Sequence, residues 1–156
     1  MEIDQTSGSS IDEYVYPMSK SLEITMGRSM EATADLHDRC EKCLKENAVP
    51  EDDIFAILLG IEEIYTNFVK YNPNGGDRID VQLDCEPDRV IASLTDYEAN
   101  RFDPRDAPPA RLEMPLHERK PGGLGIHIIK QVMNGVEYSY KDRVSKVTLT
   151  RLITKK

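Results

Sequence analysis

The sequence predicts an α+β two-layer sandwich, with helices on one face of a mixed, mostly antiparallel sheet. Two sets of alternating positions carry the sheet. Ile79, Val81, Leu83 and Cys85 alternate with polar residues, Glu86-Pro87-Asp88 turns, and Val90, Ala92 and Leu94 alternate again. Val136, Tyr138 and Tyr140 face Val147 and Leu149 in a second hairpin. The helical patterns stand grouped between these strands, without the regular βαβ alternation of a doubly wound fold.

The chain has 156 residues, enough for one domain with a real core. Hydrophobic residues make up 39% and charged residues 31%, an ordinary soluble balance. No apolar run is long enough to span a bilayer, so no membrane association is expected. Met1-Glu2-Ile3-Asp4-Gln5 lacks the basic and apolar regions of a signal peptide, which points to the cytoplasm. A net charge of -8 argues against direct nucleic-acid binding but leaves room for a nucleotide, which needs only a few local donors. Three cysteines fit a reducing compartment. Cys40-Glu41-Lys42-Cys43 is formally a CxxC, but it lies in a helical pattern with no second Cys or His pair at zinc spacing. Packing is the expected role.

Residues 1–17 are polar, Ser-rich and aperiodic and read as a flexible N-terminal arm before a domain over 18–156. Leu22, Ile24 and Met26 predict a short strand that Gly27 ends. A helix is expected from about Ser29 to Asn47, with Met30, Ala34, His37, Cys40 and Leu44 on one inward stripe. Pro50-Glu51-Asp52-Asp53 starts a second helix, since proline fits the first turn and carboxylates favour the positive helix end. It should run to Lys70 or Tyr71, where Asn72-Pro73-Asn74-Gly75-Gly76 stops it. The stretch from Pro104 to Pro121 reads as a long, proline-rich loop, and loops of that length inside a domain usually serve function. Gly122 to Gly125 leads into a third helix that ends at Asn134-Gly135.

The second helix carries the most chemistry. Ile54, Ile57, Leu58, Ile61, Ile64, Tyr65 and Phe68 form its core stripe. Glu63 and Asn67, four apart, stack on another side, preceded there by Phe55, Ala56, Leu59 and Gly60. A helix apolar on more than one side is largely buried, so the pair is expected to face a cavity, whereas Glu62 is expected in water. A carboxylate there can act as a general base, and an amide oxygen can hold Mg2+. Pro121-Gly122-Gly123-Leu124-Gly125, preceded by Arg119 and Lys120, offers backbone N–H groups and a helix N-terminus to an anion. It is neither a Walker A loop nor a GxGxxG turn.

In this order the segments resemble the GHKL ATPase superfamily. Glu63-Ile64-Tyr65-Thr66-Asn67 is similar to its N box, and Gly122-Gly123-Leu124-Gly125-Ile126-His127 to its glycine box. Asp96 sits where that family keeps its adenine-binding aspartate, and Phe102-Asp103-Pro104 resembles the segment that follows. The compact spacing resembles the short bacterial anti-sigma-factor serine kinases. The resemblance covers about Leu22 to Leu152 and implies a Bergerat-type fold with ATP and Mg2+ as cofactors. It implies Glu63 as the base for a substrate hydroxyl, Asn67 as the Mg2+ ligand and Asp96 as the adenine contact. Gly122, Gly123, Leu124 and Gly125 would hold the phosphates, under the proline-rich loop as a lid. A sigma factor, an anti-anti-sigma (STAS-type) protein and a second copy of the chain are the implied partners.

One position departs from the family pattern. Asp-x-Gly is usual at the adenine site, and this chain reads Asp96-Tyr97-Glu98. That departure motivates an alternative, a partner-sequestering module that kept the fold but uses nucleotide poorly. A detached histidine-kinase catalytic domain ranks below both, because the chain lacks room for a dimerising phosphoacceptor helix pair and His37 has no supporting motif.

Overall fold

A computed structural model describes residues 21–99 and 123–153. The predicted N-terminal arm and the proline-rich loop lie outside the described residues, as does Phe102-Asp103-Pro104.

Five strands form one sheet: β1 (Leu22–Gly27), β2 (Arg78–Cys85), β3 (Arg89–Asp96), β4 (Gly135–Lys141) and β5 (Val144–Leu152). Their order is β1-β2-β3-β5-β4, and every pairing is antiparallel, so no parallel pair occurs among the described strands. The alternation read from the sequence sets the register. Met26, Ile79, Asp96, Ser145 and Tyr140 form one row across the sheet, and Ile24, Val81, Leu94, Val147 and Tyr138 the next. Asp96 and Ser145 therefore continue the buried face of β3 and β5 to its last row. The two hairpins close tightly. Glu86 N–H donates to the Arg89 carbonyl at 2.8 Å, and Asp142 and Arg143 both take positive φ (52° and 62°), as a two-residue type I′ turn requires.

The helices α1 (Thr33–Glu46), α2 (Glu51–Tyr71) and α3 (Gly123–Val132) complete the domain. All seven predicted core positions of α2, from Ile54 to Phe68, are buried. The phase of α1 differs from the prediction. A 3₁₀ turn at Met30–Ala32, capped by Ser29, comes first, and the α-helix begins only at Thr33. The inward stripe is Leu36, Cys40, Cys43 and Leu44, while Met30 and Ala34 face outward. Burial pushes the thiols of Cys40 and Cys85 up to about 12, which suits inert packing groups.

His37 and Glu62 join α1 to α2. His37 Nδ1 meets Glu62 Oε1 at 2.5 Å, and Nε2 lies 3.3 Å from Glu41 Oε2. Glu62 is thus an inter-helix partner rather than a purely solvated charge. Its hydrogen bond, with both carboxylate charges, raises the imidazole pKa above 6.5. A group whose folded-state pKa is raised contributes stability that is fully present below its unfolded value. That stability is lost as pH rises through the higher folded value. The thermal midpoint should therefore fall as pH is raised from about 6 towards about 8, and His37→Gln should flatten this trend. Identical slopes in parent and variant would contradict it. The effect is small, since the imidazole is 38% exposed.

Candidate functional site

The side of α2 that carries Glu63 and Asn67 is built from small residues. Ala56 and Gly60 precede them at helical spacing and are buried. A Cβ at Gly60 would come within 2.7 Å of the Met133 side chain, just after α3, and 3.0 Å of that of Leu149 in β5, so glycine there makes room for both. Phe55 belongs to a neighbouring side. It is 72% exposed, beside a cleft of about 260 Å³ between α1 and α2. Arg151 ties the layers together beyond Gly60, donating to Asp53 Oδ1 at 2.9 Å and to the Val132 carbonyl.

Asn67 is 2% exposed, and its Nδ2 has no hydrogen-bond partner among the described residues. An amide N–H left unsatisfied in the interior is destabilising by about 1–3 kcal/mol, so this position calls for an acceptor, from an ordered water or from a ligand. Glu63, one turn earlier, is half-buried. Burial raises its pKa above 4.5, opposed less strongly by the charge of Lys70 and by the nearby Asn67 amide. That amide favours the carboxylate without reaching hydrogen-bond geometry. A carboxylate with raised proton affinity is the form a general base near neutral pH requires.

Asp96 ends β3 on the same helix-covered side of the sheet, 1% exposed. Both of its oxygens have protein donors. Arg28 Nη2 binds Oδ1 in a close ion pair, and Asn72 Nδ2 donates to Oδ2 at 3.1 Å. Arg28 also donates through Nε to the Gly76 carbonyl at 2.8 Å and through Nη1 to the Phe68 carbonyl at 3.0 Å. Across the sheet from Asp96, the buried Ser145 Oγ has no partner among the described residues.

The departure at Glu98 is milder than the sequence suggests. Its φ is 51°, the left-handed backbone for which glycine is favoured, and its side chain is exposed. The turn thus keeps a glycine-like path with a side chain directed to solvent, at a cost of about 1–2 kcal/mol. The Glu98 carbonyl accepts from Arg143 at 3.1 Å and more weakly from Asn72 at 3.4 Å.

Of the glycine loop, Gly123 opens α3, and Leu124 and Gly125 belong to its first turn. Gly122 lies outside the described residues. Three residues of this region escaped the sequence reading. Arg28 and Asn72 gave no local signal beyond ending an element. Ser145 did give one, since it is a polar residue at an inward position of the Ser145-Val147-Leu149 alternation.

An antiparallel five-stranded sheet covered by helices, with a polar pair on the long helix, makes an α+β sandwich domain. The chain belongs to the histidine kinase-like ATPase domain family, whose model matches residues 28–151. Among solved structures it is similar to that of the RsbU and RsbW domains of Rv1364c from Mycobacterium tuberculosis. The TM-score is 0.63 at 19% identity, over 88% of this chain and 34% of the other, so the likeness is one of fold. No curated protein matches.

Proposed function

We propose that the chain is an anti-sigma factor that binds Mg-ATP and phosphorylates a serine or threonine of an anti-anti-sigma (STAS-type) partner, controlling transcription by partner switching. The observation that carries this reading is the stacking of Asn67, 2% exposed, one turn from the half-buried Glu63 carboxylate, with the Asn67 Nδ2 donor left for an acceptor such as a phosphate oxygen. The family supplies the ATP, and the similarity to a structure that contains an RsbW domain supports the regulatory setting.

The residues present fit the cofactor at its phosphate end. Asn67 would hold Mg2+ through its amide oxygen, and the N-terminal turn of α3, with Gly123, Leu124 and Gly125, would offer backbone N–H groups to phosphate. Bound Mg2+ neutralises charge on the triphosphate. Glu63 takes the proton of the substrate hydroxyl, its proton affinity raised by partial burial. No helix among the described residues is long and apolar enough to cross a membrane.

The test exploits the unsatisfied amide. Asn67→Leu removes a buried polar group at similar volume, so the ligand-free protein should hold or gain up to about 1–2 kcal/mol in urea denaturation. The same variant should lose Mg2+-dependent ATP binding. A variant that is destabilised and still binds Mg-ATP normally would make Asn67 a structural residue.

A second reading rests on the engaged carboxylate of Asp96. In it, the chain keeps the fold and a partner surface but uses nucleotide weakly, acting only by sequestering its partner. Phosphorylation of a partner captured from the source cell would exclude that alternative.

A further inference from the structure

Asp96 is the acceptor that the family resemblance assigns to adenine, yet its hydrogen bonds here point elsewhere. Arg28 reaches it from the residue after β1, and Asn72 from the residue after α2. The same guanidinium holds the carbonyl of Phe68, next to Asn67, and that of Gly76 in the α2–β2 connection. The connection is shaped for this. A Cβ at Gly75 would fall 2.3 Å from Asn72 Nδ2 and 2.5 Å from Arg28 Nη2, so only glycine lets the backbone lie against the pair. Gly76 N–H donates to the Tyr97 carbonyl at 2.9 Å, and a Cβ at Gly76 would press on Tyr97 at 3.2 Å. Tyr97 is held in turn by its hydroxyl on Asp80 Oδ2 at 2.7 Å and by Arg78 stacked 4.4 Å over its ring. Glu98 completes the turn through Asn72 and Arg143.

These contacts make one clamp. It joins the end of β1, the end of α2 and the end of β3, with Asp96 as its buried anion. Each Asp96 oxygen keeps a lone pair, but a carboxylate neutralised by a guanidinium is a weaker acceptor for a neutral amine, and shifting it towards a base would loosen its hold on the buried Arg28. We infer that Asp96 is the counter-ion of this clamp and not a reader of the base, so that the site takes nucleoside triphosphates by their Mg-phosphate end with little selection for adenine. This inference rests on the Mg-ATP reading for its ligand, though not for the clamp itself.

The full-length parent protein is titrated calorimetrically with Mg-ATP and with Mg-GTP. In parallel, Asp96→Asn is melted without nucleotide. The expected result is a pair of dissociation constants within about threefold of each other, since a charged hydrogen bond to the base would separate them by at least about tenfold. Asp96→Asn should lower the thermal midpoint by about 10 °C, because it leaves Arg28 buried without its anion. ATP bound more than about tenfold tighter than GTP would overturn the inference, as would an unchanged midpoint in Asp96→Asn. Binding of neither nucleotide would instead sink the Mg-ATP reading. The melting result would then decide the clamp alone, a lowered midpoint supporting it and an unchanged one refuting it.

Discussion

Replacing Glu63 by glutamine is expected to preserve Mg-ATP binding and to slow phosphoryl transfer about 10²–10⁴-fold, the usual contribution of a positioned general base. The substitution keeps the size and most of the polarity of the side chain but removes its capacity to accept a proton. Binding should therefore survive, since the proposed metal ligand, Asn67, and the proposed phosphate donors, at the start of α3, are other residues. The pH profile sharpens the test. Burial raises the Glu63 pKa above 4.5, and the base must be deprotonated, so the parent rate should climb with pH through that raised value. The residual rate of Glu63→Gln should lack this limb. Equal transfer rates in parent and variant would remove Glu63 from the chemistry.

The second large effect concerns stability. Arg28→Ala should destabilise the protein by about 3–5 kcal/mol, measured by urea denaturation, because it leaves the Asp96 carboxylate buried and uncompensated. The side chains of this pair are 8% and 2% exposed, and Arg28 satisfies two backbone carbonyls as well. Arg39 offers the contrast. Its contact with Asp35 is 3.8 Å long between side chains that are 46% and 65% exposed. Arg39→Ala should thus change stability by no more than about 0.5 kcal/mol. If the two alanine variants unfold at the same urea concentration, the clamp is not holding the domain together.

The contrast between α2 and α1 explains what the sequence could reveal. In α2 the apolar stripe is long, continuous and started by Pro50 with three carboxylates, so its phase follows from helical spacing alone. In α1 the same approach misplaced Met30 and Ala34, because a 3₁₀ turn advances the backbone differently before the α-helix begins at Thr33. The hairpins were legible from period-two alternation, and Asp96 could be placed at the end of β3 in the same way. Its partners could not. Arg28 lies 68 residues from Asp96, 48 from Gly76 and 40 from Phe68, and no local pattern encodes contacts of that separation. The positive φ at Glu98 was hidden as well, since glutamate gives no hint of a left-handed backbone. Glu63 and Asn67 were visible by spacing, but the unsatisfied amide that makes the pair informative emerges only from packing.

The central proposal is that this domain binds ATP with a metal held at Asn67 Oδ1, which leaves the Nδ2 donor for an acceptor on the ligand. Isothermal titration of the full-length protein with ATP, with Mg2+ present and then with Mg2+ chelated, tests it most directly. Saturable binding that weakens at least about tenfold on chelation, and equally in Asn67→Leu, is the predicted result. The absence of saturable heat at about 1 mM ATP would contradict it, as would binding indifferent to both Mg2+ and Asn67.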